Sequence, residues 1–369
     1  MRRVLKRPLQ IFRGKLRGDI ITNSLSSLPR ITLDNILKIA DGYQDLQLMH
    51  AALECDIFTQ LSDVPETAKG ISEKSGTDLF ITEKLLNALV SIDLLFKSDG
   101  KYHNTELSDI YLSRRSPYYQ GNYIKTQKLV SFGTNSYGDW DQIGKALEKG
   151  YLPPSKEGFE LYDKIFSLSM KEMAIRGEAQ GTAEVLSNYP WFKDAKRVID
   201  VGGTHGLYSI ALLAKNPQLE ATLFDIPGVP ELGDAPEHFK QYNVSDRIQI
   251  RTGNFFMRTD IGSGYDIAFI SNVYFLGTAD ALLDNIFDSL NSGGRFVLKN
   301  SVIRKDRTGP FISSLLDLDM CFWGENHHLF SIDECIDLIE PHGFEIENVS
   351  MLEGCCLGSI AILVFKKVD

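Results

Sequence analysis

Apolar residues recur every three to four positions from Asp34 to Leu61, at Ile36, Leu37, Ile39 and Ala40 and again at Leu48, Met49, Ala52, Leu53, Ile57 and Leu61. That period predicts helix, because residues three and four apart share one helical face. A short helix is expected after Thr67 and ended by Gly76. A third is expected over residues 82–95, with Leu85, Leu86, Leu89, Val90 and Leu94 on one side. The extended segment 96–102 is split by Asp99-Gly100, a pair that accepts the left-handed backbone of a tight hairpin. Three helices and a hairpin compose a winged helix, assigned to residues 31–115.

The pattern changes after Asn188-Tyr189-Pro190. Short apolar runs at 197–201, 222–224, 248–250, 267–270 and 296–298 read as buried strands, with helical periods at 208–215, 281–290 and 332–339. Strands alternating with helices predict an α/β fold, a doubly wound, mainly parallel Rossmann-like sheet over residues 186–369. Two further runs, 346–352 and 360–365, close it as an antiparallel hairpin. Residues 116–185, rich in Tyr, Phe and Met, read as a helical connector, whose Met170 and Met173 are candidate pocket residues.

Charge narrows the possible partners. The chain of 369 residues has a formal net charge of −10, although eight basic side chains fall in the first thirty residues against one acid, Asp19. An acidic body disfavours nucleic acid, and the third helix of the winged helix offers Lys84 against Glu83 and Asp93. That domain is therefore expected to pair two copies of the chain as a homodimer. The basic extension 1–30 is suited at most to weak contact with an anionic membrane surface, and Pro8 interrupts its apolar face. No run of eighteen apolar residues is present, so no transmembrane segment is expected. Five cysteines without CxxC spacing point away from disulfides and zinc and towards a cytoplasmic setting.

Candidate chemistry concentrates in three strand ends. Val198-Ile199-Asp200-Val201-Gly202-Gly203-Thr204-His205-Gly206 runs from a strand through a glycine turn to a helix, where backbone amides and the helix N-terminus favour an anionic or polar ligand. Phe224-Asp225-Ile226-Pro227 ends the second strand with an acid able to accept ribose hydroxyls. Gly253-Asn254-Phe255-Phe256 follows the third, offering an amide and an aromatic to a purine. In this order they indicate a nucleoside cofactor. His205, at the helix start, is expected to be neutral through the helix field.

On these motifs the chain resembles the S-adenosylmethionine-dependent small-molecule O-methyltransferases of the caffeic-acid and hydroxyindole type, with their bacterial polyketide and pigment relatives. Ser292-Gly293-Gly294-Arg295 and Pro341-His342-Gly343-Phe344 extend the likeness. The resemblance implies S-adenosyl-L-methionine as cofactor, held by Gly202, Gly203, Asp225, Ile226, Asn254 and Phe255. It also implies a substrate pocket drawn from Met170, Met173, Phe275, Met320 and Trp323. The family's catalytic positions depart, however. Phe275 stands where the resemblance places a His base, Asn300 where it places one Glu, and Leu329 where it places another. The catalytic group is therefore unassigned, with Tyr274, His327 and His328 the remaining candidates. No third ligand accompanies the His pair, so no metal is expected. The expectation is a methyltransferase acting on a small apolar or aromatic metabolite without the usual His base. The alternatives are a non-methylating enzyme of the decarboxylase, hydroxylase or pericyclase kind on the same fold and, more remotely, a winged-helix regulator.

Overall fold

The computed structural model describes residues 30–131, 140, 143–150, 167–255, 257–273, 280–320, 327–352 and 359–368. By compactness the chain divides into Met1–Ala51 and Ala52–Asp369. In the first unit the described chain is the greater part of the helix Arg30–Glu54, on which Ile36, Leu37, Ile39 and Tyr43 are exposed.

The second unit opens with the helices Ile57–Leu61, Ala68–Ser75 and Leu79–Ser91 and the antiparallel hairpin β1 (Leu95–Ser98) and β2 (Lys101–Asn104). The Thr67 hydroxyl caps the second helix by accepting the Gly70 amide, and Gly76 ends it at φ +65°. The third helix starts earlier than its apolar stripe suggests. Asp78 accepts the Ile81 amide at 2.9 Å and so fixes the N-terminus, an effect of capping that periodicity does not register. Asp99 and Gly100 both have positive φ, 50° and 76°, as a two-residue hairpin with primed turn geometry requires.

The remaining strands are β3 (Arg197–Val201), β4 (Glu220–Asp225), β5 (Ile248–Thr252), β6 (Tyr265–Ser271), β7 (Leu290–Val302), β8 (Phe344–Leu352) and β9 (Ser359–Lys367). They form one seven-stranded sheet in the order β5-β4-β3-β6-β7-β9-β8. The first five are parallel, while β9 runs antiparallel to both β7 and β8. The order turns back between β3 and β6, the switch point outside which ligands bind in open α/β sheets. Alternation along the strands separates two cores. Phe269, Val297 and Ile362 pack with residues of the helices Ala179–Ser187 and Leu207–Lys215. Ile270, Leu298 and Leu363 pack with those of Asp280–Ser289 and Ile332–Ile339.

Candidate functional site

The glycine turn is shaped by what lies beneath it. Gly202 takes φ +75°, a conformation that favours glycine. At Gly203 a Cβ would lie 2.9 Å from the carboxylate of Asp200, so only glycine lets the turn close over that acid. Asp200 accepts the Ser209 hydroxyl at 2.6 Å, and burial, aided by the nearby Asp225 charge, pushes its carboxyl up to about 7. Thr204 is held at φ +39°, and its amide donates to Asp225 Oδ2 at 2.9 Å. The Thr204 hydroxyl reaches the same oxygen at 3.3 Å, and the Ile226 amide donates to Oδ1 at 2.8 Å. Burial raises the Asp225 carboxyl above its usual range, and these three hydrogen bonds oppose the shift.

These ends of β3 and β4 open onto a cavity of about 290 Å³. Gly202, Gly203, Asp225, Ile226 and Phe255 line it, and so do Met170 and Met173. Asp200, Thr204, Tyr208, Ser271 and Asn272 also line it. The sequence reading did not single out these residues as ligand contacts, although the last two directly follow a buried strand at the switch point. Asn254 is exposed and is not among the lining residues. Its amide donates to Asp260 Oδ2 at 2.9 Å, in the turn from which Phe255 reaches the cavity. A nucleoside fits this donor set. The glycines leave the backbone bare, and Asp225 Oδ1 keeps a lone pair beyond the one engaged by Ile226. The weak Thr204 hydroxyl contact is the one a second ribose hydroxyl would replace.

A family model of the O-methyltransferase domain matches residues 162–345, and one of the O-methyltransferase dimerisation domain matches residues 37–114. The chain belongs to the O-methyltransferase family. It is an S-adenosylmethionine-dependent methyltransferase. Acetylserotonin O-methyltransferase of Macaca mulatta is 29% identical over 304 residues, covering 76% of this chain and 83% of that one. The tetracenomycin polyketide synthesis 8-O-methyl transferase of Streptomyces glaucescens is 26% identical over 332 residues, 87% and 94% of the two chains. In fold, the methyltransferase superposes on human N-acetylserotonin methyltransferase in complex with SAM with a TM-score of 0.77 at 23% identity, covering 94% of this chain and 100% of that one. Among the described residues no helix is long and apolar enough to cross a membrane, and no group of three metal-binding side chains is found.

The methyltransferase's other candidate residues divide clearly. Tyr274, Phe275 and Trp323 lie outside the described residues. Met320 is buried with Ile303 and Leu329 in a small apolar cluster and is not among the residues lining the cavity, because its helix turns it into that cluster. His327 is half-buried and His328 is exposed, its ring 4.9 Å from that of Phe330. Leu329 is fully buried, and its amide donates to Asp317 at 2.7 Å. Asn300 is 1% exposed, yet neither end of its amide has a hydrogen-bond partner. His205 is neutral as expected, but the main cause differs. Burial pushes its pKa down to about 3, and its Nδ1 accepts the Leu207 amide.

Proposed function

We propose that this methyltransferase holds S-adenosylmethionine in the cavity between the 202–206 turn and Asp225, and acts on a small apolar or aromatic acceptor without a histidine base. The observation that carries the reading is the convergence of the bare glycine turn, the Asp225 carboxylate and the Met170–Met173 wall on one cavity. Asp225 holds the ribose hydroxyls, the amides of the turn face the polar end of the cofactor, and Phe255 covers the base. The two methionines present flat, polarisable surface to cofactor and acceptor. When bound, the cofactor supplies an electrophilic methyl group on a sulfonium.

What the chain lacks defines the acceptor. A phenol with a pKa near 10 is about 0.1% ionised at pH 7, a deficit of roughly 4 kcal/mol that a general base normally offsets. Phe275 offers no base, Leu329 is apolar, and the Asn300 amide neither takes a proton nor carries charge. The reading therefore favours an acceptor molecule that is already nucleophilic, such as a carboxylate, amine or activated carbon. Alignment of that nucleophile with the methyl group then supplies the rate. The test is conversion of S-adenosylmethionine to S-adenosylhomocysteine by the purified protein with panels of aromatic carboxylates, amines and catechols at pH 7. Turnover with the first two and near-inactivity with catechols is expected. Turnover of an acceptor without S-adenosylhomocysteine would instead establish non-methylating chemistry.

A further inference from the structure

Lys299 lies within the sheet with its side chain fully buried, after the apolar run Phe296-Val297-Leu298 on β7. Burying an ammonium is strongly unfavourable unless it is closely partnered. Lys299 Nζ donates to Glu178 Oε2 at 2.6 Å and to the Tyr208 hydroxyl at 2.9 Å, and it sits 5.1 Å from the centre of the Tyr208 ring. Glu178, also fully buried, takes Arg176 Nη2 on its other oxygen at 2.9 Å. The Lys299 carbonyl accepts the amide of Asn272, which holds φ +54° at the rim of the cavity.

Three walls of the cofactor cavity thus meet at one residue. Tyr208 belongs to the helix that follows the glycine turn, Asn272 directly follows β6, and Glu178 closes the π-turn Ala174–Glu178 that follows Met170 and Met173. The π-turn explains how Glu178 reaches inward. Five residues along a regular α-helix would rotate Glu178 about 140° from Met173, and the kink in this turn interrupts that regular rotation. Gly177, at φ 131°, supplies the irregular backbone inside that turn. The segment thus brings Met170 and Met173 to the cavity and a carboxylate to Lys299.

We propose that Lys299, through Glu178 and Tyr208, is a positioning residue that sets the shape of the cofactor cavity. The inference rests on reading this cavity as the cofactor site. Lys299→Met alone strands a buried carboxylate and should lower the thermal midpoint. The paired variant Lys299→Met/Glu178→Gln removes both charges and leaves Arg176 an acceptor, so the midpoint should return towards the wild-type value. Calorimetry with S-adenosylmethionine should nonetheless show the paired variant binding at least about tenfold more weakly. Recovery of both stability and affinity in the paired variant would show that the cluster only supports the fold, and would overturn the proposal. Tyr208→Phe keeps the ring, removes the hydroxyl and decides the matter if the paired variant does not fold. About fivefold weaker binding is expected, with a lowered midpoint because the buried Lys299 ammonium loses an acceptor, and unchanged affinity overturns the proposal. Wild-type protein that fails to bind S-adenosylmethionine would instead sink the reading of the cavity itself.

Discussion

The amide of Thr204 and the carboxylate of Asp225 meet at 2.9 Å across the ends of two parallel strands. The contact bends the turn through a left-handed threonine and orients the acid at the same time. Asp225 thus has a structural duty as well as a place in the cavity lining.

Asp225→Ala should therefore weaken S-adenosylmethionine binding by at least about tenfold, since charge-assisted hydrogen bonds contribute about 1.5–3 kcal/mol. Isothermal calorimetry on the folded variant measures this. Unchanged affinity would remove Asp225 from the cofactor site.

Gly203→Ala sets a methyl group 2.9 Å from the Asp200 carboxylate, which the Ser209 hydroxyl holds. Overpacking of this kind costs about 1–3 kcal/mol. A lower denaturant midpoint and weaker cofactor binding are expected together.

Stability should fall as pH rises from about 4 to about 7. Asp200 in the folded protein titrates at about 7 against 3.8 ordinarily, so within that window the folded state keeps a proton that the unfolded chain has released. Each such group subtracts up to about 1.4 kcal/mol per pH unit until the folded carboxyl itself ionises. Glu172, also pushed up to about 7 by burial, acts in the same direction. Asp200→Asn keeps an acceptor for Ser209 and should flatten the decline of Tm with pH, whereas an unaltered slope would exclude Asp200 as a source.

Phe275→His should confer O-methylation of simple catechols, weakly, because Asn300 and Leu329 do not orient an imidazole. Robust catechol methylation by the wild type, lost in His327→Ala or His328→Ala, would place the base in the His pair.

The dimerisation domain leaves Leu79, Phe80 and Ile81 exposed at 45%, 65% and 62%. Light scattering at micromolar concentration should give about twice 41.4 kDa. Phe80→Glu should shift the distribution towards the monomer.

The sheet was legible because its strands are short apolar runs between turn residues, and the run 197–201 coincides with β3 residue for residue. The cavity at the ends of β3 and β4 was legible through Gly202, Gly203 and Asp225, whose chemistry is local to a strand end. Periodicity placed β7 at 296–298 and missed its continuation to Val302, because Lys299, Asn300 and Ser301 are polar yet buried. Hydropathy carries no sign of a partner 121 positions away, such as Glu178. The outward turn of Asn254 was hidden for a similar reason, since it depends on Asp260 holding the backbone.

The sheet order also constrains how the chain can be made. β9 follows every other described strand in sequence, yet it lies between β7 and β8 and pairs with β7 from Arg295 to Val302. During vectorial synthesis a nascent chain reaching only residue 352 would leave one edge of β7 open and β8 without the strand it pairs with. That interval exposes strand edges able to recruit another chain. Chaperone demand should therefore rise once residue 352 has emerged and fall when β9 pairs with β7 and β8.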